Sequence, residues 1–143
     1  MRIRLKEQAN YPFSTTIQIR VTDLNYGNHM GNQMLLSYAQ EARSQWLGWL
    51  GGWSEVSVAD QGIIMGDAAV VYQSEGKGGE ILLIEVTVGD ISRVSFDLHY
   101  RITEQSTGRA VGLVKTGIVF FDYQTSKVAA VPEMFLAAIE AKK

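Results

Sequence analysis

The chain has 143 residues, 46% apolar and 20% charged, with a formal net charge of -2, which suits one domain able to bury a core. So small a net charge excludes a global field that would gather nucleic acid, and an anionic ligand must be held by a few local positive groups. No cysteine is present, which removes disulfides, thiolate metal sites and cysteine nucleophiles, and the separated His29 and His99 do not make a metal site.

Met1 to Asn10 alternates charged and apolar residues and lacks the apolar run of a signal peptide. No stretch reaches the ~20 apolar residues of a membrane helix. The expectation is one domain over residues 1–143, without a membrane span, in the cytoplasm. Phe13, Thr15, Ile17, Ile19 and Val21 alternate with polar neighbours, so Phe13 to Thr22 is predicted as a strand with one buried face. A polar, glycine-containing loop runs from Asp23 to Gly31. From Asn32 the period changes: Met34, Leu35, Tyr38, Ala42, Trp46 and Trp49 recur at three- and four-residue steps, predicting a helix to Leu50 that Gly51-Gly52 ends. Leu36, Ala39, Leu47 and Leu50 widen its apolar surface, so it should be wrapped by other structure.

The remainder reads as strands. Gly62 to Gln73 is one, and Gly76-Lys77-Gly78-Gly79 turns the chain into Glu80 to Val88. Gly89-Asp90 is a hairpin signal before the alternating run Val94 to Thr103. Ser106-Thr107-Gly108 turns again into Ala110 to Tyr123, and Pro132-Glu133 opens a short helix carrying Phe135, Leu136 and Ile139. Tight turns predict an antiparallel meander curled around the long helix, an α+β arrangement. Such a sheet has open edges, and the long apolar run Ile63 to Tyr72 needs a partner, so at least a homodimer is expected.

The run Asp23-Leu24-Asn25-Tyr26-Gly27-Asn28-His29-Met30-Gly31-Asn32 resembles the loop of hotdog thioesterases of the 4-hydroxybenzoyl-CoA type, whose consensus is roughly D-x-D-x-x-G-H-x-N-N before a helix with E-A-R. Glu41-Ala42-Arg43 supplies the latter. Tyr72 through Leu82, Val119 to Asp122 and Val131 to Phe135 are also similar, in order, so the resemblance spans nearly the whole chain. It implies a hotdog fold, hydrolysis of acyl-CoA or acyl-carrier-protein thioesters, no cofactor beyond the coenzyme A of the substrate, and a homodimer or homotetramer with sites between subunits. The loop also resembles that of plant acyl-carrier-protein thioesterases, which places His29 on their catalytic histidine and Glu75 on their catalytic glutamate, within Tyr72-Gln73-Ser74-Glu75. Asn25 departs from the pattern, because the 4-hydroxybenzoyl-CoA type has an aspartate there as nucleophile or base. An amide has no usable basicity at neutral pH.

Backbone N–H groups at a helix start are free and carry the positive end of its dipole, so Gly31 and Asn32 are candidates for an oxyanion hole. His29 beside Glu75 makes a base held by a carboxylate, with Asn25 orienting water or carbonyl. Lys77 and Arg93, both at turns, are candidates to meet the phosphates of coenzyme A. Plainer readings stand beside these. Asn25 and Asn28 suit a loop that tolerates left-handed backbone and caps a helix, Glu75 suits a solvated strand end, and Glu41 suits a pair with Arg43. His99 falls on the polar face of a strand, and Trp46 and Trp49 suit helix core. Two other functions remain open: an acyl-thioester binding protein without a base, which Asn25 favours, and a hydratase or dehydratase, whose D-x-N-x-x-H motif the loop misses by one residue.

Overall fold

A computed structural model describes residues 1–143. In chain order the elements are β1 (Phe13–Gln18), a 3-10 turn (Val21–Asp23), α1 (Met34–Gly51), β2 (Gly62–Tyr72), β3 (Ile81–Ile91), β4 (Ser95–Glu104), β5 (Ala110–Asp122), β6 (Lys127–Val128) and α2 (Glu133–Ala141). The strands make one antiparallel sheet in the order β1-β3-β4-β5-β2, with the short β6 on β5. This is the α+β arrangement expected, a long helix lying on one face of an antiparallel sheet.

Alternation builds the core. Leu82, Ile84 and Val86 of β3, Phe96, Leu98, Tyr100 and Ile102 of β4, and Val114, Ile118 and Phe120 of β5 are buried. They share one cluster with Leu35, Tyr38, Ala39, Ala42, Trp46 and Leu47 of α1. Burying each large side chain contributes about 1.5–3 kcal/mol. Phe135 of α2 closes the end of this layer, its ring 4.7 Å from that of Phe96 and 5.2 Å from that of Phe120. No helix is long and apolar enough to cross a membrane.

Four details differ from the sequence reading. Helix α1 begins at Met34 rather than Asn32, and Leu36, Ser37, Gln40, Glu41, Ser44 and Gln45 are exposed, so the sheet covers one face of the helix and the other stays open within one chain. Strand β1 ends at Gln18, because the Asp23 carboxylate accepts the Arg20 amide at 3.0 Å and tightens the chain into a turn.

Gly89-Asp90 is not the hairpin turn. It lies inside β3 at an irregularity between Val88 and Ile91, and a Cβ on Gly89 would fall 2.5 Å from Nε2 of His99. The glycine makes room for a ring, while Ser92 makes the turn by accepting the amides of Val94 and Ser95 at 3.2 and 3.0 Å. The meander, finally, is limited to β3, β4 and β5. Strand β2 pairs with β5 at one side of the sheet, so the residues after Tyr72 cross the sheet end to start β3 instead of forming a hairpin with it.

Candidate active site

The loop between the 3-10 turn and α1 is folded on itself. The Asn25 amide donates to the His29 carbonyl at 2.8 Å, and Asn28 takes φ 63°, the left-handed region that asparagine tolerates. Oδ1 of Asn25 accepts the amides of Gly27 at 2.8 Å and His29 at 3.3 Å. Asn25 lines the cleft, but its acceptor oxygen is spent on loop shape.

The loop is stitched to the β2–β3 crossover. The Met30 amide donates to the Gly76 carbonyl at 3.0 Å, and His29 and Lys77 form an antiparallel bridge. A Cβ on Gly76 would lie 2.6 Å from Ile19 Cδ1, so the glycine lets the crossover pack closely on Ile19. This seating brings two residues distant in sequence together: Nδ1 of His29 lies 3.0 Å from Oε2 of Glu75. The carboxylate stands off the line of an Nδ1–H bond, and Nδ1 has no other polar partner and no contact with solvent. The two side chains are 43% and 70% exposed, so the pair sits at the rim of the cleft.

The third component is the start of α1. The Gly31 amide is committed to the Asp23 carbonyl at 2.9 Å. The amides of Asn32 and Gln33 donate to nothing, which shifts the expected donor pair by one residue. Helix α1 has no capping side chain and no acidic residue in its first turn, so its positive end is uncompensated. These parts surround a cleft of about 310 Å³ lined by Asn25, His29, Met30, Asn32, Tyr72, Gln73, Ser74 and Glu75.

Asp23 supports this end from below. Burial pushes its carboxyl up, but bonds from the Arg20 amide, the Tyr38 hydroxyl and the Arg20 guanidinium outweigh burial and hold it below the usual range. The Tyr38 hydroxyl, donating at 2.8 Å, is pushed up by its own burial and by that carboxylate. Asp23 is thus a buried anchor.

Lys77 lies within the crossover, whereas Arg93 lies beyond the far end of β3, whose 11 residues span roughly 36 Å. Within one chain the two cations do not meet. Glu41 accepts from Gln45 at 2.8 Å rather than pairing with Arg43, whose guanidinium turns inward to Glu55 at 2.6 Å and the Tyr100 hydroxyl at 3.3 Å. His99 is half-buried on the outer sheet face, and burial pushes its imidazole down. Nowhere do three His, Asp or Glu side chains converge as metal ligands would.

Residues 19–139 match the sequence profile of the family described as "Thioesterase-like superfamily", a match that includes the loop, the helix start and the crossover. The chain belongs to the thioesterase-like superfamily.

Solved structures agree on the fold. A 1,4-dihydroxy-2-naphthoyl-CoA thioesterase from Synechocystis superposes with a TM-score of 0.80 at 22% identity, over 89% of this chain and 94% of that one. A gentisyl-coenzyme A thioesterase gives 0.79 at 16% identity, over 89% and 99%. A Staphylococcus aureus protein solved in complex with CoA gives 0.81 at 16%, over 91% and 82%. No curated protein sequence matches the chain.

In this superfamily member, sequence reasoning passed over what Tyr72 does. Its hydroxyl donates to the Asn32 carbonyl at 2.6 Å, fixing the peptide whose N–H belongs to Gln33. The signal available was a tyrosine ending a strand otherwise rich in valine and isoleucine. Nothing in the sequence tied it to Asn32.

Proposed function

We propose that the protein hydrolyses acyl-CoA or acyl-carrier-protein thioesters to the free acid and thiol. The observation that carries this reading is the meeting of His29 and Glu75 at 3.0 Å in a cleft that also holds the bare start of α1. The thioester carbonyl oxygen sits against the Asn32 and Gln33 amides, donors of the kind worth ~3–4 kcal/mol of barrier. Nε2 of His29 takes a proton from a water whose oxygen attacks the carbonyl carbon, and Glu75 stabilises the imidazolium that forms. The oxyanion then collapses, the C–S bond breaks, and the thiolate takes the proton from His29. A thiol of pKa ~8.5 needs little further help to leave.

Lys77, within the crossover, serves as a cation for the phosphates of coenzyme A, and Arg93 reaches a cleft only from a second subunit. The unpaired edge of β2 supplies the surface for that homodimer or homotetramer. Light scattering at micromolar protein tests the assembly, and a monomer mass rejects it.

The chemistry is tested by thiol release from a panel of aliphatic and aromatic acyl-CoA substrates. His29→Ala and Glu75→Gln are each expected to lower kcat roughly 10²–10⁴-fold. The second reading, an acyl-thioester binding protein, is favoured by Asn25, an amide whose oxygen is already used. Asn25→Asp preserves both loop acceptor contacts and adds a carboxylate. Thiol release from Asn25→Asp but not from the wild type decides for binding.

A further inference from the structure

Glu75 is a largely exposed side chain whose one polar neighbour is a histidine. Exposed pairs of this kind hold their own geometry with only ~0–1 kcal/mol, so the placement of Glu75 has to come from its backbone. That backbone is held by a residue outside the cleft. Arg109, just before β5, donates from Nε to Ser74 Oγ at 3.1 Å and from Nη2 to the Glu75 carbonyl at 3.1 Å. The same guanidinium binds both oxygens of Glu80, at 3.0 and 2.8 Å. Glu80 in turn accepts the Lys77 amide at 2.8 Å.

One planar fork therefore fixes both ends of the crossover. Such bidentate arginine–carboxylate contacts are among the stronger charge-assisted hydrogen bonds, and a lysine cannot reproduce them. The Glu80 carboxyl is held below its usual range first by Arg109. Between the two anchored ends lie Gly76, bonded to Met30, and Lys77, bridged to His29.

We propose that Arg109 is the positioning residue that holds Glu75 against His29, acting through the backbone of the β2–β3 crossover. The proposal rests on the hydrolytic reading for its kinetic consequence, but its geometry can be read independently. Arg109→Ala is expected to lower kcat roughly 10–10²-fold with KM within about 3-fold. In a Glu75→Gln background the same substitution should change kcat less than about 2-fold, because residues that act as a unit are not additive. Arg109→Lys should fall between Ala and the wild type.

An equal loss in both backgrounds would show a general structural role and overturn the proposal, as would an unchanged kcat in Arg109→Ala. If Arg109→Ala does not fold, Glu80→Gln weakens the same clamp, and the same cycle with Glu75→Gln decides. If the wild type releases no thiol, the hydrolytic reading fails by itself. The clamp is then judged from the ¹⁵N shift of His29 Nδ1 at fixed pH, in a spectrum with only His99 beside it. Arg109→Ala moves that shift to the value seen in Glu75→Gln if the clamp acts as proposed, and leaves it at the wild-type value if it does not.

Discussion

Neither helix start carries a capping side chain, but α2 has Pro132 at its cap and Glu133 in its first turn, whereas α1 starts on Gln33 with no acidic residue in its first turn. Proline fits the first turn because its missing N–H is no loss there, and the glutamate complements the dipole. An acidic residue in the first turn contributes about 0.3–1 kcal/mol, and α1 forgoes it at the end that faces the cleft. What holds α1 instead comes from the side: the Tyr72 hydroxyl on the Asn32 carbonyl, the Asp23 carbonyl on the Gly31 amide, and Tyr38 on the Asp23 carboxylate. The start of α2 has its dipole complemented locally by Glu133, whereas the start of α1, which faces the cleft, has its support moved off the donors.

The contrast can be broken by capping α1. Gln33→Asp should raise stability by about 0.5 kcal/mol through the dipole while lowering kcat about 10²-fold, the scale of losing an oxyanion donor. Thermal melts beside thiol-release rates check the opposed signs; a rise in both would mean the amides of Asn32 and Gln33 are not the donors.

Next in size is the buried support. Tyr38→Phe removes a hydrogen bond to a charged group, a loss of roughly 1.5–3 kcal/mol at neutral pH. Asp23 is held below its unfolded value of about 3.9. It therefore stabilises the fold above that value, and the contribution is lost as pH falls through the lower folded one. Without Tyr38 the carboxyl rises, so urea melts at several pH values should show the acid loss beginning at higher pH than in the wild type.

Tyr72→Phe leaves the donors in place but frees the peptide that carries one of them. A fall in kcat of about 3–10-fold with little change in melting temperature is expected, and steady-state kinetics beside a melt measure both. The smallest effect belongs to the other helix. Glu133→Gln should cost about 0.3–1 kcal/mol and leave thiol release unchanged, which an activity loss would contradict.

Much of this was legible in the chain. The periods of two and three-to-four placed β1, β3, β4, β5 and α1 within a few residues, because each turns side chains toward the core at a fixed repeat. Strand β2 was placed instead by its isoleucine, valine and tyrosine content, and it exposes most of its middle. The Gly89-Asp90 signal misled because a glycine is demanded equally by a turn and by a ring pressed on the backbone, here that of His99. The Gly76 to Gly79 segment read as a tight turn of the meander for a similar reason: its glycines serve a tight crossover to a strand across the sheet.

The residues by themselves determined the alternating strands, the long helix and the polar Asp23–Gly31 loop, since these depend on side-chain type and local spacing. The candidacy of His29 and Glu75 came from the resemblance of the loop and the Tyr72–Glu75 segment to known thioesterases. Folding of the loop decided which amides were left free, because the Gly31 amide is consumed by the Asp23 carbonyl at the loop's other end. Tertiary structure alone decided that β2 lies beside β5, that Lys77 and Arg93 are at opposite ends of β3, and that Tyr72 and Arg109 reach Asn32 and the crossover. Those contacts join residues far apart in sequence. Their geometry is set by how the sheet orders its strands under α1, which no local pattern encodes.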